Sequence, residues 1–206
     1  MITDLAGAEL DETTALQQIV AALDRRFPDH NAPGDRLGRL LEELGELVEV
    51  VVWVERIPVN ENDNDLMPSL TKELQDVLRT AAGIAHHYGL PITLTELMTT
   101  PDDRLLERTH PFVQLVHITK CAGVVAKAVH HLVGMVIKRD KYGPAGDRAW
   151  LAAAVHDVLR RVVQLAEHYE LRMALCHSIE AQYRSYQREG YITAADETDA
   201  NNADDV

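Results

Sequence analysis

Residues 40–54, LLEELGELVEVVVWV, combine an apolar helical face with an acidic flank. On a helical wheel at about 100° per residue, with Glu43 at zero, the leucines of this region fall between about +40° and +160°. Glu46 falls at about −60°, so Glu43 and Glu46 border the apolar face one turn apart. Glu42 and Glu49 lie further round, at about −100° and −120°, where we expect solvent. The end of the segment, VVVWV, is apolar on all sides, which predicts that it is buried.

A second segment, LTKELQDVLRTA at residues 70–81, repeats the arrangement, because Glu73 and Asp76 flank its apolar side at the same angle. If the two helices pack antiparallel across their short connection, four carboxylates converge: Glu43, Glu46, Glu73 and Asp76. Such a cluster would repel itself unless a hard divalent cation neutralised it, and Mg²⁺ is the usual occupant of oxygen sites. A single E-x-x-E pair is more often a solvated helix edge, so the metal hypothesis depends on both segments together.

The motif order resembles a known family signature. E-E-x-x-E from Glu42 to Glu46, 26 intervening residues and E-x-x-D from Glu73 to Asp76 resemble the all-α nucleoside triphosphate pyrophosphohydrolases of the MazG-like superfamily. Dimeric dUTPases, dCTP pyrophosphatases and phosphoribosyl-ATP pyrophosphatase are relatives. The resemblance implies that Glu43, Glu46, Glu73 and Asp76 bind Mg²⁺, with Mn²⁺ as a substitute, and that Glu42 or Glu46 orients or activates water. It also implies that a nucleoside triphosphate is cleaved to the monophosphate and pyrophosphate.

An internal repeat is the second informative feature. DVLR at Asp76–Arg79, followed by IAHHYGL at 84–90, recurs 81 residues later as DVLR at Asp157–Arg160 and LAEHYEL at 165–171. We therefore predict an all-α MazG-like bundle formed by tandem duplication, in which an ancestral homodimer has become an intramolecular pseudo-dimer. The alternative is that the likeness reflects only two generic amphipathic helices.

The duplication predicts three regions: an intact MazG-like repeat at 1–110, a degenerate one at 111–190, and a disordered acidic tail at 191–206. Of the four acids, only Asp76 has an acidic counterpart, Asp157, in the second repeat. Lysine, glycine and alanine occupy the other three places, so we expect no Mg²⁺ there.

Basic residues could contact the phosphates of a substrate. In the family, such residues lie downstream of E-x-x-D, and the second repeat could also supply cations. The candidates are Arg104, Arg108, Lys120, Lys138, Arg139, Arg184 and Arg188. For any one of them, surface ion pairing is the alternative role.

Composition favours a soluble helical enzyme of a reducing compartment. The chain has 206 residues, 46% hydrophobic and only 5% aromatic, with a net charge of −13 that argues against nucleic-acid binding. Nothing resembles a signal peptide, and we expect the apolar runs to be too short and interrupted to span a membrane. Cys121 and Cys176 lack C-x-x-C spacing, as expected for buried thiols. We therefore predict a cytoplasmic protein.

The pattern predicts helices throughout and no strand of any length. One or two short helical pieces are expected within 91–108. The longer predicted helices cover 13–26, 35–57, 69–88, 111–138, 147–169 and 171–189.

Two other functions stay open from the sequence. A non-catalytic nucleotide-binding or scaffold protein derived from the same family would explain the degenerate second repeat. A helical bundle for protein association would show no dependence on Mg²⁺. The base, the sugar and the preference for triphosphates or diphosphates are not indicated, and a pseudo-dimer could stand alone or pair again as a homodimer.

Overall fold

The computed structural model describes residues 2–5, 7–56, 66–99, 109–133 and 147–193. Seven α-helices lie in these ranges, which confirms the all-α prediction. The helices are α1 (Glu12–Arg26), α2 (Pro33–Arg56), α3 (Leu66–His87), α4 (Leu94–Thr99), α5 (Pro111–Leu132), α6 (Asp147–His168) and α7 (Arg172–Arg188). The predicted continuation of α5 to residue 138 and the acidic tail from residue 194 lie outside the described residues.

Four helices close into a ring. α2 packs along α3, α3 along α6, α6 along α5, and α5 back against α2. α1 and α7 pack on each other and on α3, and α4 lies against α6 and α1. The core consists mainly of leucine, isoleucine, valine and alanine, and each fully buried leucine or valine contributes about 1.5–3 kcal/mol relative to an exposed one. Since α3 contacts α1, α2, α6 and α7, it lies at the centre of the fold.

Local sequence explains where the helices begin. Asp11 caps α1, since its Oδ1 accepts a hydrogen bond of 2.7 Å from the Thr14 backbone N–H. α2 begins at Pro33, two residues before the predicted start at residue 35. Proline suits the first helical turn because the amide hydrogen it lacks has no partner there, and Asp35 lies within the first turn, where its charge favours the helix dipole.

A small β-ribbon at the N-terminus was not predicted. Ile2–Thr3 pairs antiparallel with Glu9–Leu10, and Gly7 supplies a left-handed φ of 85° in the turn between them. Strands of two residues are too short to show an alternating pattern, so the sequence carries no signal for them.

α3 and α6 end in the same way. Gly89 and Glu170 both have φ of 58°, and a backbone hydrogen bond closes each end, from Leu90 N to Ala85 O at 2.9 Å and from Leu171 N to Ala166 O at 2.8 Å. This is the geometry of a helix that stops with a left-handed residue. The two ends fall in the stretches that the sequence identifies as a repeat.

The apolar end of α2 is buried on one side only. Val50 and Val51 are buried, whereas Trp53 is 46% exposed. Two residues correspond to about 200° of helix, so Trp53 lies on the side opposite Val51 and away from the core. The prediction of burial on all sides is therefore wrong for Trp53.

The expectation that every apolar run is too short and interrupted to span a membrane is wrong for α5. By length and composition alone it could cross a membrane, with a mean hydropathy of 1.4. In the structure it packs along α6, and Ile118, Ala122 and Val125 are buried. The core helix of a soluble protein meets the same criterion, so hydropathy alone does not distinguish the two cases.

Candidate metal site

Three of the four predicted carboxylates come together between α2 and α3. Glu43, Glu73 and Asp76 each place one carboxylate oxygen within 4.8 Å of the others. Glu73 and Asp76 are one turn apart on α3, and Glu43 approaches them from α2. One divalent cation with ligand distances of about 2.0–2.6 Å can bridge oxygens at this separation. We call these three residues the acidic group.

The acidic group is largely removed from solvent. Glu73 is only 7% exposed, and the side chains of Glu43 and Asp76 are 17% and 13% exposed. Among the described residues, Glu73 Oε2 has no hydrogen-bond partner although it is buried. A buried carboxylate oxygen without a partner is costly, so Glu73 has an acceptor available for a ligand.

The carboxylates of the group repel one another. Burial raises the pKa of Glu43, and the nearby negative charge of Asp76 raises it further. Arg79 acts in the opposite direction, while Glu46 and Glu73 add to the increase. A bound cation would reverse this effect, because it favours the ionised form of every carboxylate that it contacts.

Two cations offset part of the charge of the three carboxylates, and neither was a predicted site residue. Lys72 Nζ lies 2.9 Å from Glu73 Oε1 and 2.9 Å from Asp76 Oδ2, and these hydrogen bonds raise the pKa of the Lys72 amine. Arg79 Nη2 donates to Asp76 Oδ1 at 2.7 Å and lies 3.6 Å from Glu43 Oε1. Spacing in the sequence could have indicated both ion pairs, because Lys72 and Asp76 are four residues apart and Asp76 and Arg79 are three residues apart on one helix.

Glu46 does not belong to the acidic group. Glu42, Glu46 and Glu49 are all exposed, as expected for Glu42 and Glu49 but not for Glu46 as a ligand. Glu46 lies one turn beyond Glu43 and is close enough to raise its pKa. The structure therefore brings together three of the four predicted ligands and leaves Glu46 at the solvent side.

Two of the predicted phosphate contacts, Arg184 and Arg188 on α7, do not face the acidic group. Arg184 pairs with Glu180 at 2.6 Å, and together with Arg188 it lines an open cavity on α7. Tyr186 is the residue of α7 that lies near Arg79 and Asp76. Arg184 is two residues earlier, about 200° around the helix, so it lies on the side of α7 away from the acidic group.

Lys120 is exposed on α5, close to Cys121 and Asp157. Cys121 itself is a free, partly buried thiol, and so is Cys176. The other candidate cations lie outside the described residues. They are Arg104, Arg108, Lys138 and Arg139.

A polar network fastens α7 to α3 beside Asp76. Gln75 is buried, and its Nε2 donates to Gln182 Oε1 at 2.6 Å, while Ser178 Oγ donates to Gln75 Oε1. The partners are 107 and 103 residues apart, so no local pattern predicts the network. It holds α7 close to the acidic group.

The second DVLR segment, Asp157–Arg160, forms the same ion pair as the first. Arg160 Nη2 donates to Asp157 Oδ1 at 2.7 Å, the same contact as between Arg79 and Asp76. Within the part of the chain that the structure describes, however, only the acidic group has three potential ligands close together.

No family model, no curated protein and no solved structure matches this chain. A functional assignment therefore depends on the geometry of the acidic group and on the order of motifs in the sequence.

Proposed function

We propose that this protein is a Mg²⁺-dependent nucleoside triphosphate pyrophosphohydrolase of the MazG-like type, acting in the cytoplasm. The convergence of Glu43, Glu73 and Asp76 is the observation that carries the proposal. The unpartnered oxygen of Glu73 and the order of the two motifs support it.

The carboxylates suit this chemistry. A bound Mg²⁺ supplies charge neutralisation at phosphate oxygens and a position for the attacking water. Glu43, Glu73 and Asp76 would hold the ion through oxygen ligands. Glu46, exposed and outside the group, can accept a proton from the water, and Glu42 is the alternative base. In-line attack by that water would break the anhydride bond between the α- and β-phosphates, and the water oxygen would remain on the phosphorus that it attacks, so that one nucleoside monophosphate and one pyrophosphate are released.

The proposal includes a tandem duplication. α2 with α3 and α5 with α6 would be corresponding helix pairs, and α3 and α6 share the same type of C-terminal end. Since the second pair lacks three of the four acids, the chain would have one working site and one lapsed site in an intramolecular pseudo-dimer.

A non-catalytic nucleotide-binding protein of the same origin is the second candidate. Lys72 favours it, because an ammonium group already offsets part of the negative charge of Glu73 and Asp76 without a metal. A protein of this kind would bind nucleotide without turnover.

The test is a panel of ribonucleoside and deoxyribonucleoside triphosphates with Mg²⁺, with monophosphate and pyrophosphate measured as products. We expect turnover by the wild type, a loss of about 10²-fold or more in Asp76→Asn, and activity within about twofold of wild type in Asp157→Asn. Asp157→Asn removes the equivalent acid outside the acidic group and controls for charge and helix effects. Full Mg²⁺-dependent activity in Asp76→Asn would refute the proposal, and tight binding without turnover by the wild type would favour the second candidate.

A further inference from the structure

A small cavity adjoins the acidic group between α1, α2 and α3. Its volume is about 40 Å³, room for roughly three water molecules. Its polar lining consists of Asp24, Asn31, Arg36, Arg39, Arg79 and Thr80. Arg79 contacts the acidic group and also lines the cavity, so the two sites share a guanidinium group.

One of the three arginines, Arg36, uses its Nε, Nη1 and Nη2 atoms in hydrogen bonds within the protein. Arg36 is buried and donates to Asp24 Oδ2 at 2.6 Å, to Gly83 O at 2.8 Å and to Asn31 O at 3.1 Å. This ion pair also neutralises Asp24, the one carboxylate of the lining. Among the described residues of the lining, Arg39 therefore carries the guanidinium charge that no carboxylate offsets, whereas Arg79 is shared with Asp76 and Glu43.

The remaining two arginines have unused hydrogen-bonding capacity. Arg79 Nε is buried and, among the described residues, has no hydrogen-bond partner. Arg39 is exposed, lies one turn before Glu43 on α2, and makes no ion pair within the described residues. Three guanidinium groups and one carboxylate in the same lining favour an anionic ligand over a cationic one.

We infer that this cavity binds a phosphate group, with Arg79 and Arg39 as its donors. Guanidinium groups match phosphate oxygens in geometry and charge, and the volume suits one tetrahedral group. The inference deepens the proposed function and rests on it in one respect, namely that the phosphate is part of a nucleotide.

The shared guanidinium couples the cavity to the acidic group. Arg79 Nη2 is engaged by Asp76 and Glu43 in the metal-free protein. A divalent cation held by these two carboxylates would leave Arg79 Nη2 free to donate into the cavity. Phosphate should therefore bind more tightly when the metal is present, and by linkage the metal should bind more tightly when phosphate is present.

The first experiment measures binding of inorganic phosphate to the metal-free full-length chain by calorimetry at constant ionic strength. We expect binding by the wild type and an affinity at least about tenfold lower in Arg39→Gln and Arg79→Gln. Arg160→Gln is the matched control, since Arg160 makes the same contact with Asp157 that Arg79 makes with Asp76. Circular dichroism verifies folding, and Arg39→Gln, at an exposed position, keeps the test valid should Arg79→Gln unfold.

Two results would overturn the inference: no phosphate binding by the wild type at millimolar concentration, or equal binding by wild type and Arg39→Gln. A second measurement identifies the source of the phosphate. An increase in KM for a nucleoside triphosphate in Arg39→Gln, with kcat near the wild-type value, assigns the cavity to the nucleotide. Loss of inhibition by inorganic phosphate with KM unchanged assigns it to free phosphate.

The two proposals can fail separately. The phosphate assay contains no metal and requires no turnover. Binding through Arg39 and Arg79 without hydrolysis of any nucleoside triphosphate would keep the cavity assignment and end the hydrolase proposal. Hydrolysis of a nucleoside triphosphate, with kinetics and phosphate binding unchanged in both arginine variants, would keep the hydrolase proposal and end the cavity assignment.

Discussion

Lys72 Nζ lies 2.9 Å from Asp76 Oδ2, one turn along α3, and the same ammonium group contacts Glu73. The carboxylates proposed to hold a metal are thus already partly neutralised in the metal-free chain. Because the Lys72 side chain is 63% exposed, it can leave for solvent when an ion arrives. Lys72 would then compete with the metal without blocking it.

Replacing Lys72 tests this competition. We expect Lys72→Met to bind Mn²⁺ about two- to fivefold more tightly than the wild type, because an exposed ion pair is worth about 0.2–1 kcal/mol. Electron paramagnetic resonance of free Mn²⁺ measures the affinity directly. Lys72→Arg keeps the positive charge and should stay near the wild-type value. Weaker binding by Lys72→Met would show that Lys72 supports the metal site instead.

Thermal unfolding tests whether the acidic group binds the metal. At about 100 times the dissociation constant, Mg²⁺ should stabilise the wild type by about 2.7 kcal/mol and raise Tm by roughly 5–10 °C. We expect no such rise in Asp76→Asn and a normal one in Asp157→Asn. Scanning calorimetry with and without Mg²⁺ gives both values. An equal rise in both variants would place the metal elsewhere.

The pH dependence of stability follows from the raised pKa of Glu43, caused first by burial and then by Asp76. A carboxyl whose pKa is higher in the folded than in the unfolded chain stabilises the fold below its ordinary pKa of 4.5, and this contribution is lost as pH rises through the folded pKa. Without metal, Glu43→Gln should therefore be more stable than the wild type at pH 7.5, with the difference shrinking toward pH 4.

Urea unfolding of both proteins across this pH range measures the difference. Glu49→Gln makes the same change of charge at an exposed position of α2 and is the control. With saturating Mg²⁺ the wild type should be more stable than Glu43→Gln, because the wild type alone keeps all three ligands. A Glu43→Gln variant less stable than the wild type at pH 7.5 without metal would contradict the assignment of Glu43 as a destabilising acid.

Glu46 should affect the reaction more than the binding of the metal. Since it is exposed and outside the acidic group, Glu46→Gln should lower kcat by about 10²-fold while leaving Mn²⁺ affinity within about twofold. Glu73→Gln should instead weaken Mn²⁺ binding by about tenfold or more. A loss of Mn²⁺ affinity in Glu46→Gln as large as in Glu73→Gln would restore Glu46 as a ligand.

The ends of α3 and α6 give a matched pair of stability changes. Glu170 has φ of 58°, a conformation that costs a residue with a side chain about 1 kcal/mol relative to glycine. Glu170→Gly should therefore raise the free energy of unfolding by about 1 kcal/mol. Gly89→Ala, at the equivalent position, should lower it by a similar amount. Chemical denaturation measures both changes, and a destabilised Glu170→Gly would show that the glutamate side chain offsets its strain.

Local spacing was sufficient to predict much of this molecule. Hydrophobic periodicity located the long helices, and three-residue spacing placed Glu73 and Asp76 on one face of α3. These properties depend only on the period of the helix, which is the same in any fold. The repeat that links Asp76–Arg79 to Asp157–Arg160 was visible for the same reason, and the structure shows the same ion pair in both places.

Contacts between distant segments could not be predicted in this way. Glu43 and Glu46 lie only about 60° apart on a helical wheel and both border the apolar face. Only Glu43 reaches the carboxylates of α3, because the packing of α2 on α3 decides which turn comes closest. Likewise, the cavity lined by Arg39 and Arg79 forms only when the end of α1 brings Asp24 to Arg36, and Arg79 then contacts both the carboxylates and the cavity. A helical period determines which side chains share a face, but the distance between helices determines which atoms meet.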